Sequence, residues 1–531
     1  KGEIYYLGIM SLNEDNVPVV LSVSGGELQE FVWKGSGSDT WATTSAWNWQ
    51  TLPQPWNRVV IDGEAEIEQD IAVRDLKLLP SSTLTMLNNK TIQCDLLTIE
   101  SDASNTASFI GSQTNLQASV QQYLTTGRIW YMSIPVNKIS SSVVRSETGN
   151  RLWRYDEPMH AWDEILTNDA DILAGEGVVI SKNSDGVLGF SGQLNAGVQT
   201  FDHLSRTGTS DSKRGYHLIG NPYPSSVDWN QAVRTKVEPT IWYRARNTNS
   251  GINVFDTYNA LSEIGTNNNG RGDVTGIIPP MQSVWILVSG DGDEGVVSFN
   301  DLMRSHASAT NKLKSNDDKK YIRLTVENGK SSDESIVVFN EKAIVGLDAY
   351  DSPKMFLDDS SVTELYTLAD GEKLAINGLP SLANQEVCVG VKSTKSSSSV
   401  LEVTQIEGLE NVNMEIEDVK THEKYLLQTG LKLKINSNAK EEQRFVIRTK
   451  NDDANKIESV KNTISVIVEK GNVRFENVQP NVDVVIYDLL GKAVFVESLH
   501  NDCEVKINKG IYFVSIADKT GFVKSRKLVI P

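Results

Sequence analysis

Residues 71–90 read IAVRDLKLLPSSTLTMLNNK, and residues 91–110 read TIQCDLLTIESDASNTASFI. Each block is twenty residues long and sets short runs of Leu, Ile and Thr between polar turns, and the Asp-Leu pair at 75–76 aligns with the pair at 95–96. A repeat of about 20 residues is the length of one coil of a β-solenoid. The two blocks therefore predict a short β-solenoid-like segment.

The same period-two alternation continues along most of the chain, interrupted by Gly, Asn, Asp and Ser, and helical periodicity is nearly absent. We therefore predict an all-β, multidomain protein with a short β-solenoid-like segment, β-sandwich or jelly-roll-like modules and a C-terminal immunoglobulin-like sandwich. One short helix is predicted at residues 225–233, SSVDWNQAV, capped by Ser226 or Asp228. Residues 284–288, VWILV, are expected to form a strand that is buried on both faces.

Shifts in composition divide the chain into segments, because polar stretches without a pattern are typical of linkers. The predicted segments are the end of an upstream β domain at 1–30, a Trp-rich entry with the solenoid-like segment at 31–116, a β-sandwich at 117–302, a linker at 303–320, a second β-sandwich at 321–449, a linker at 450–462 and a C-terminal module at 463–531. The first residues, KGEIYYLGIM, do not begin with an initiator methionine and do not resemble a signal peptide. We interpret Lys1 as a cut, with a further part expected upstream.

Composition excludes several classes of function. The formal net charge of −18 argues against binding to nucleic acid or to anionic membranes, both of which need basic surfaces. The three cysteines are far apart and are expected to be buried free thiols, and the six histidines show no metal-binding spacing. No metal and no cofactor is predicted. With no G-x-S-x-G motif and no P-loop, we expect that the protein is not an enzyme.

A cluster of aromatic residues occupies FVWKGSGSDTWATTSAWNW at 31–49. Its four tryptophans are Trp33, Trp41, Trp47 and Trp49. If they are exposed, such rings can stack on sugar rings and form a glycan site. Otherwise they cap the end of a sheet, since Trp buries a large area and anchors small β modules.

Two loops carry other candidate chemistry. NNNGRGDVTG at 267–276 contains Arg271, Gly272 and Asp273, a candidate adhesion loop if it is flexible and exposed. Three-residue matches also arise by chance in Gly-rich loops. DGDEG at 291–295 offers carboxylates to calcium, but it lacks the twelve-residue EF-hand spacing, so a solvated turn is the favoured interpretation.

The last module carries three motifs in order: VVIYDLLGKAV at 484–494, KINKGIYFVSI at 506–516 and TGFVKSRKLVI at 520–530. Together they resemble the type A C-terminal sorting domain of the type IX (Por) secretion system of Bacteroidota. The residues on which the resemblance places the sorting signal are Tyr487, Asp488, Gly491, Lys492, Gly510, Tyr512, Val514, Lys524, Arg526 and Lys527. On the residues alone, the favoured interpretation of the last strand is a charged sheet edge that prevents aggregation. With the resemblance, we favour a strand that a receptor extends.

The resemblance implies a protein carried across the outer membrane to the cell surface or the extracellular space. The implied partners are the type IX translocon with its outer-membrane shuttle barrel, a sorting peptidase, and surface lipopolysaccharide or glycan. We expect an exported β-modular adhesin, stalk or structural component. The alternatives are the accessory C-terminal part of a larger secreted hydrolase and a carbohydrate-binding module.

Overall fold

In the computed structural model the chain divides into two compact units, Lys1–Asn451 and Asp452–Pro531. The structure describes residues 30–36, 39–207, 213–307, 319–357, 359, 362–381, 385–393, 397–409, 412–437, 441–449, 465–469, 472–476, 478, 482–517 and 523–530. The predicted linker at 450–462 and, apart from Glu30, the predicted upstream piece at 1–30 lie outside these residues. Regular structure in the described part is almost all strand, so the all-β prediction is confirmed.

The first part of the first unit is a β-solenoid with three parallel sheets. Its strands are β1 (Glu30–Trp33), β2 (Arg58–Ile61), β3 (Glu64–Ile67), β4 (Ile71–Ala72), β5 (Asp75–Leu78), β6 (Thr83–Met86), β7 (Ile92–Gln93), β8 (Leu96–Ile99), β9 (Ser108–Ile110) and β10 (Gln117–Leu124). The sheets follow the orders β1-β2-β5-β8-β10, β3-β6-β9 and β4-β7. Because successive coils stack in parallel, the inward-pointing side chains of each strand lie over those of the next coil and are buried. This packing accounts for the solenoid-like segment that the sequence predicts.

The register of the coils differs from the twenty-residue alignment by one position. Asp75 pairs with Leu96, and Leu76 pairs with Leu97. Leu76 and Leu97 are buried, whereas Leu96 is 39% exposed. A shift of one residue exchanges the two faces of a strand, so the matching of 75–76 to 95–96 was wrong. The register is set by the burial of Leu76 and Leu97, and the two aspartates that the sequence alignment matched do not pair with each other.

The middle of the first unit contains several small sheets. Its elements are β11 (Ile129–Met132), β12 (Lys138–Ser140), α1 (Ser142–Arg145), β13 (Arg151–Asp156), β14 (Ala161–Glu164), β15 (Asp171–Leu173), β16 (Val178–Ser181), β17 (Gly186–Gln193), β18 (Gln199–Ser205), β19 (Tyr216–Gly220), β20 (Ser226–Asp228), β21 (Val233–Thr235), β22 (Thr240–Arg246), β23 (Asn253–Asn259), β24 (Ile264–Gly265), β25 (Ile277–Ile278), β26 (Ser283–Leu287), β27 (Glu294–Phe299) and β28 (Arg304–Ser305). The sheet orders are β11-β16-β13-β14, β12-β15, β18-β27-β21, β19-β26-β22-β23-β24 and β25-β20-β28, and β17 pairs with the solenoid strand β10. The segment predicted as one sandwich is therefore built from several sheets.

Two local predictions in this region are confirmed. Every residue of β26 is buried, as is Val288, so the strand is buried on both faces. The predicted helix is a single 3₁₀ turn, Trp229–Gln231, and the Asp228 side chain caps it by accepting the Asn230 N–H. Ser226 instead lies in β20 and donates its hydroxyl to the Ala307 carbonyl.

The end of the middle region is tied to the solenoid by a buried arginine. The Arg304 side chain donates to the carbonyls of Gly111 at 2.8 Å and Phe109 at 2.7 Å. Met303 and Arg304 are both buried. The predicted linker at 303–320 therefore begins too early. Polar composition misled the prediction, because the polar side chains of Arg304 and His306 bond inward to backbone carbonyls and to side chains of the protein. Residues 308–318 lie outside the described part.

His306 makes a second tie, and its protonation is expected to affect stability. Its ring nitrogens lie 2.7 Å from the Ser108 hydroxyl and 2.9 Å from that of Thr85, and burial lowers the pKa of His306 to about 4. The unfolded chain, with an ordinary His pKa of about 6.5, binds the proton that the folded state excludes. Stability from this residue is complete above pH ~6.5 and is lost as the pH falls towards 4.

We therefore expect the free-energy difference between the wild type and His306→Gln to shrink by about 2 kcal/mol between pH 7 and pH 4.5. Urea unfolding followed by tryptophan fluorescence measures it. Other titrating groups are common to both proteins and cancel in the difference. A difference that stays constant with pH would show that His306 titrates normally in the folded state.

The last part of the first unit is a single hydrogen-bonded sheet with one main core, while Ile336, Val338 and Ile376 pack with Ile264 in a second, smaller cluster. Its strands are β29 (Lys320–Glu327), β30 (Ser332–Phe339), β31 (Ser352–Pro353), β32 (Thr363–Ala369), β33 (Glu372–Leu379), β34 (Glu386–Ser393), β35 (Ser397–Glu407), β36 (Met414–Asp418), β37 (Glu423–Leu426), β38 (Lys432–Ser437) and β39 (Glu441–Thr449). They follow the order β37-β36-β39-β34-β32-β33-β30-β29-β35-β38, with β31 beside β33. β29 and β30 form a hairpin in which Gly329, at φ +77°, takes a left-handed conformation that favours glycine.

The second unit consists of two sheets that enclose their own core. Its strands are β40 (Ser465–Glu469), β41 (Asn472–Glu476), β42 (Val482–Tyr487), β43 (Ala493–Leu499), β44 (Cys503–Lys506), β45 (Gly510–Ala517) and β46 (Val523–Ile530). The sheet orders are β40-β41-β44 and β43-β42-β45-β46, and all pairings are antiparallel. Val473 and Phe475 of the first sheet share one core with Ile486 and Val514 of the second. The immunoglobulin-like assignment of this sandwich stays a prediction.

Candidate functional site

The hairpin between β42 and β43 is held by an aspartate. Oδ1 of Asp488 accepts the backbone N–H of Leu490 at 2.9 Å and that of Lys492 at 3.0 Å. Gly491 has φ +79°, in the left-handed region. The turn projects two apolar side chains, since Leu489 is 65% and Leu490 is 94% exposed.

The outer face of the four-stranded sheet in this unit exposes apolar side chains beside polar ones. The exposed apolar side chains are Val496, Ile511, Phe513 and Val529, and the exposed polar ones include Asp483, Ser498 and Lys527. Tyr487 pairs with Phe513, and Phe513 pairs with Lys527, so these three lie in one row across the sheet. Large exposed apolar patches rimmed by polar residues often mark sites of contact with a partner. We call the set Tyr487, Val496, Ile511, Phe513, Lys527 and Val529 the outer face.

The predicted sorting residues separate into three groups. Asp488, Gly491 and Lys492 form the hairpin, and Tyr487 and Lys527 belong to the outer face. Val514 is fully buried in the core, and Tyr512 packs against it. Gly510 lies beside Tyr512, and a Cβ placed on Gly510 would be 3.1 Å from the Tyr512 ring.

Val514 is thus a core residue that no receptor reaches while the unit is folded, which corrects its assignment to the signal. Lys524 and Arg526 lie in β46, in register with Ile516 and Val514, and their side chains are outside the described part. Sequence reasoning missed Phe513 and Val529. In IYFVSI and RKLVI, successive side chains point to opposite faces of the strand. Val514 and Leu528 point to the core, so their neighbours Phe513 and Val529 point outward, and this alternation could have identified them.

Three of the four predicted glycan-stacking tryptophans are buried at the first coil of the solenoid. Trp33, Trp41 and Trp47 are 1%, 6% and 2% exposed. Trp47 packs edge-to-face on Trp33 at 5.1 Å and on Trp41 at 4.7 Å between ring centroids. Their faces are occupied by one another and cannot stack on a sugar, so the four-tryptophan glycan site was wrong. Trp49 is half exposed, with Nε1 donating to the Glu30 carbonyl.

The predicted adhesion loop is held rigidly rather than flexibly. The backbone N–H of Arg271 donates to Asn269 Oδ1 at 2.7 Å, and that of Gly272 donates to Asn267 Oδ1 at 2.8 Å. Asp273 forms an ion pair with Arg323 at 2.9 Å. An integrin-type contact needs a free aspartate, and here the carboxylate, although 38% exposed, is held by the buried Arg323. Arg271 itself is exposed.

A network of buried polar groups supports this loop. Asp256 accepts the backbone N–H groups of Asn268 and Asn269 and the Asn269 side-chain amide. Burial raises the pKa of Asp256 to about 7, although these hydrogen bonds oppose the rise. Beside it, Arg323 binds Glu334 at 2.6 Å. Burial raises the pKa of the Glu334 carboxyl above its ordinary value, and the adjacent Arg323 limits that rise.

A groove opens at the end of β11. Its cavity has a volume of about 250 Å³. Trp130, Tyr131, Pro279 and Pro280 supply apolar walls, while Gln122 and Gln282 supply amides. We call these six residues the groove. Gln282 donates its amide hydrogens to the carbonyls of Tyr131 and Ser283, which fixes the side chain against β11.

The loop carboxylates that were considered for calcium are neutralised by cations. Asp291 pairs with Arg206 and Arg214, and Asp293 pairs with Lys236 at 2.9 Å. Among the described residues, no three His, Cys, Asp or Glu side chains come together in a group that could hold a metal ion. The prediction that all three thiols are buried was wrong, since Cys94 and Cys503 are half-buried and Cys388 is exposed. Partial burial raises the pKa of the Cys94 thiol to about 11.

None of the helices in the described part of the chain has the length and apolar character needed to cross a membrane.

Together, an all-β body and a separate C-terminal sandwich that closes around its own core define a modular β-protein. Residues 461–531 match the family model described as "Secretion system C-terminal sorting domain". The chain is therefore a cargo protein of the type IX secretion system, exported to the cell surface or the extracellular space. Its sorting domain implies an interaction with the type IX machinery.

The body identifies the chain further. Residues 32–448 match the family model described as "Domain of unknown function (DUF8693)". The match covers more than half of the chain, which belongs to this family. It spans the solenoid, the middle sheets and the eleven-stranded sheet as one unit, in agreement with the first compact unit of the structure.

Other comparisons add little. No curated protein matches the chain. Among solved structures, one match is titled "Biofilm associated protein - BSP domain", with 9% sequence identity and a TM-score of 0.11, covering 78% of this chain and 92% of the other. A TM-score this low does not indicate a shared fold.

Proposed function

We propose that the protein is a surface-exposed binding or structural component, of the adhesin or stalk kind, which acts without catalysis. The observation that carries the proposal is the C-terminal sandwich, which closes around its own core and matches the sorting domain over its whole length. A self-contained unit of this kind serves as a transferable export signal. The β-rich body, with buried aromatic side chains and paired carboxylates, then provides a rigid displayed surface.

We further propose that the translocon, through its shuttle barrel, docks on the outer face of the sorting domain. Phe513 and Val529 are 45% and 59% exposed on that face, and Lys527 adds a charge that orients a partner. β46 lies at the edge of its sheet, so a receptor has access to a strand edge as well. A sorting peptidase and surface lipopolysaccharide are the partners proposed for the later steps.

The test uses residues 461–531 fused to a periplasmic carrier in a type IX-competent cell. We expect carrier at the cell surface, accessible to added protease, and none in a translocon-deficient strain. Phe513→Ser/Val529→Ser in the fusion is expected to reduce surface carrier about tenfold, because two exposed contacts are lost with little effect on folding.

The matched control is Leu489→Ser/Leu490→Ser, which removes two exposed apolar side chains at the hairpin tip. It should leave export near the wild-type level. Equal losses in both variants would refute docking on the outer face, and the reverse result would assign docking to the hairpin. If the unmodified fusion stays in the periplasm, the export proposal itself is wrong.

A further inference from the structure

Three arginines from distant parts of the chain come together beside the groove. Arg128 precedes β11, and Arg246 ends β22. Arg271 lies in the loop at 267–276, which the Thr248 N–H joins at the Asn269 carbonyl, 2.9 Å away, two residues after Arg246. The guanidinium of Arg128 lies 3.8 Å from the ring centroid of Trp130, which lines the groove. Arg246 donates to the Gly127 carbonyl at 3.2 Å, next to Arg128. We call Arg128, Arg246 and Arg271 the arginine cluster.

The cluster is cationic without acidic partners in the described part of the chain. The recorded contacts of Arg128 and Arg246 go to an aromatic ring and to backbone carbonyls, and none of the three side chains forms an ion pair there. Asp185, the nearby carboxylate, accepts the Thr126 N–H at 2.6 Å. Nε of Arg128 is buried without a hydrogen-bond partner. Burial, followed by the charges of Arg271 and Arg246, lowers the pKa of Arg128.

Three like charges held together cost free energy, which an anion would recover. Several buried cations in this protein, among them Arg323 and Arg444, pair with carboxylates. The formal net charge of −18 supplies an excess of acids, yet none pairs with these three arginines in the described residues. An arginine fork is suited to bidentate binding of a carboxylate.

The groove adds a second kind of recognition. Trp130, which carries Arg128 over one face of its ring, and Tyr131 line the groove with aromatic surface. The Gln282 side-chain oxygen offers an acceptor, because only the amide hydrogens of that side chain are used within the described part of the protein. Aromatic surface and a hydrogen-bond acceptor suit the apolar face and the hydroxyls of a sugar ring. The cavity of about 250 Å³ is smaller than the range of about 300–1,000 Å³ for whole drug-sized ligands. It suits one ring of a longer chain that continues into solvent.

We propose that the groove and the arginine cluster form one binding site for an acidic polysaccharide whose sugar rings carry carboxylates. A sugar ring contacts Trp130, and the arginines pair with carboxylates on that ring and its neighbours. The acidic surface of the remaining protein repels a densely charged polymer such as nucleic acid or polyphosphate. The same surface repels less strongly a polysaccharide that carries only one charge per ring. The inference deepens the proposed role of the body in surface binding and rests on it.

The full chain is titrated with oligogalacturonate at low salt, with neutral dextran and polyphosphate in parallel, by isothermal calorimetry. We expect oligogalacturonate to bind, dextran not to bind, and added salt to weaken the complex. Arg128→Gln/Arg271→Gln and Trp130→Ala should each raise the Kd about tenfold or more. Arg128→Lys/Arg271→Lys keeps the charges but loses the planar forks, so its Kd should lie between those of the wild type and Arg128→Gln/Arg271→Gln.

The matched control is Lys34→Gln/Lys330→Gln, which removes two exposed positive charges outside the groove and the cluster. It should change the Kd less than about twofold. Urea unfolding confirms that each variant is folded. No binding of oligogalacturonate by the folded wild type overturns the proposal, as does equal weakening by the control. Equal affinity for polyphosphate, unaffected by Trp130→Ala, would show general attraction of anions instead. None of these outcomes depends on the export of the carrier fusion, which tests the proposed function separately.

Discussion

Replacing Arg323 by methionine is expected to lower the free energy of unfolding of the first unit by about 3–5 kcal/mol. Arg323 is 5% exposed and lies between Glu334 and Asp273. Its loss leaves the Glu334 carboxylate buried without a cation, and a buried unpaired charge is expensive. The loop that carries Asp273 loses its anchor as well.

Urea unfolding followed by tryptophan fluorescence is the suitable measurement, because all 11 tryptophans lie between residues 33 and 285, within the first unit. Arg323→Met/Glu334→Gln should regain a large part of the loss, since it removes the stranded charge. Arg58→Met breaks an exposed pair with Asp75 and should cost less than about 1 kcal/mol. Similar costs for Arg323→Met and Arg58→Met would contradict the buried network.

Trp33→Ala is expected to cost about 3–5 kcal/mol in the same assay. The side chain is 1% exposed, packs edge-to-face on Trp47, and donates Nε1 to the Glu64 carbonyl at 2.9 Å. Gly35 lies so close that a Cβ there would come within 2.4 Å of the Trp33 ring. Removal of the indole therefore opens a cavity at the first coil of the solenoid.

Trp49→Ala is the matched comparison, because it removes the same side chain from a half-exposed site. It should cost less than about 1 kcal/mol. The contrast separates the structural role of these tryptophans from a binding role. If Trp33→Ala and Trp49→Ala destabilise equally, the buried cluster is not the capping element of the solenoid.

The sequence by itself determined the class of fold, the route of export and several local features. Alternation of apolar and polar residues determines strands, and turn chemistry is local. The Asp228 cap and the Asn328-Gly329 hairpin were therefore predictable from neighbouring residues. The sorting motifs at 484–494, 506–516 and 520–530 were identified by their resemblance to a known family, which each short continuous stretch of sequence carries by itself.

Tertiary structure alone decided which aromatic and charged residues are available for contact. The sequence shows four tryptophans close together, but whether an indole faces solvent depends on the strands that pack on it. Arg271 and Asp273 are two residues apart, yet one side chain is exposed and the other is held by Arg323, fifty residues further on. The arginine cluster joins residues 128, 246 and 271, which no spacing rule connects. Local patterns determine strands and turns because their interactions span a few residues, whereas binding surfaces arise from packing between segments that are distant in sequence.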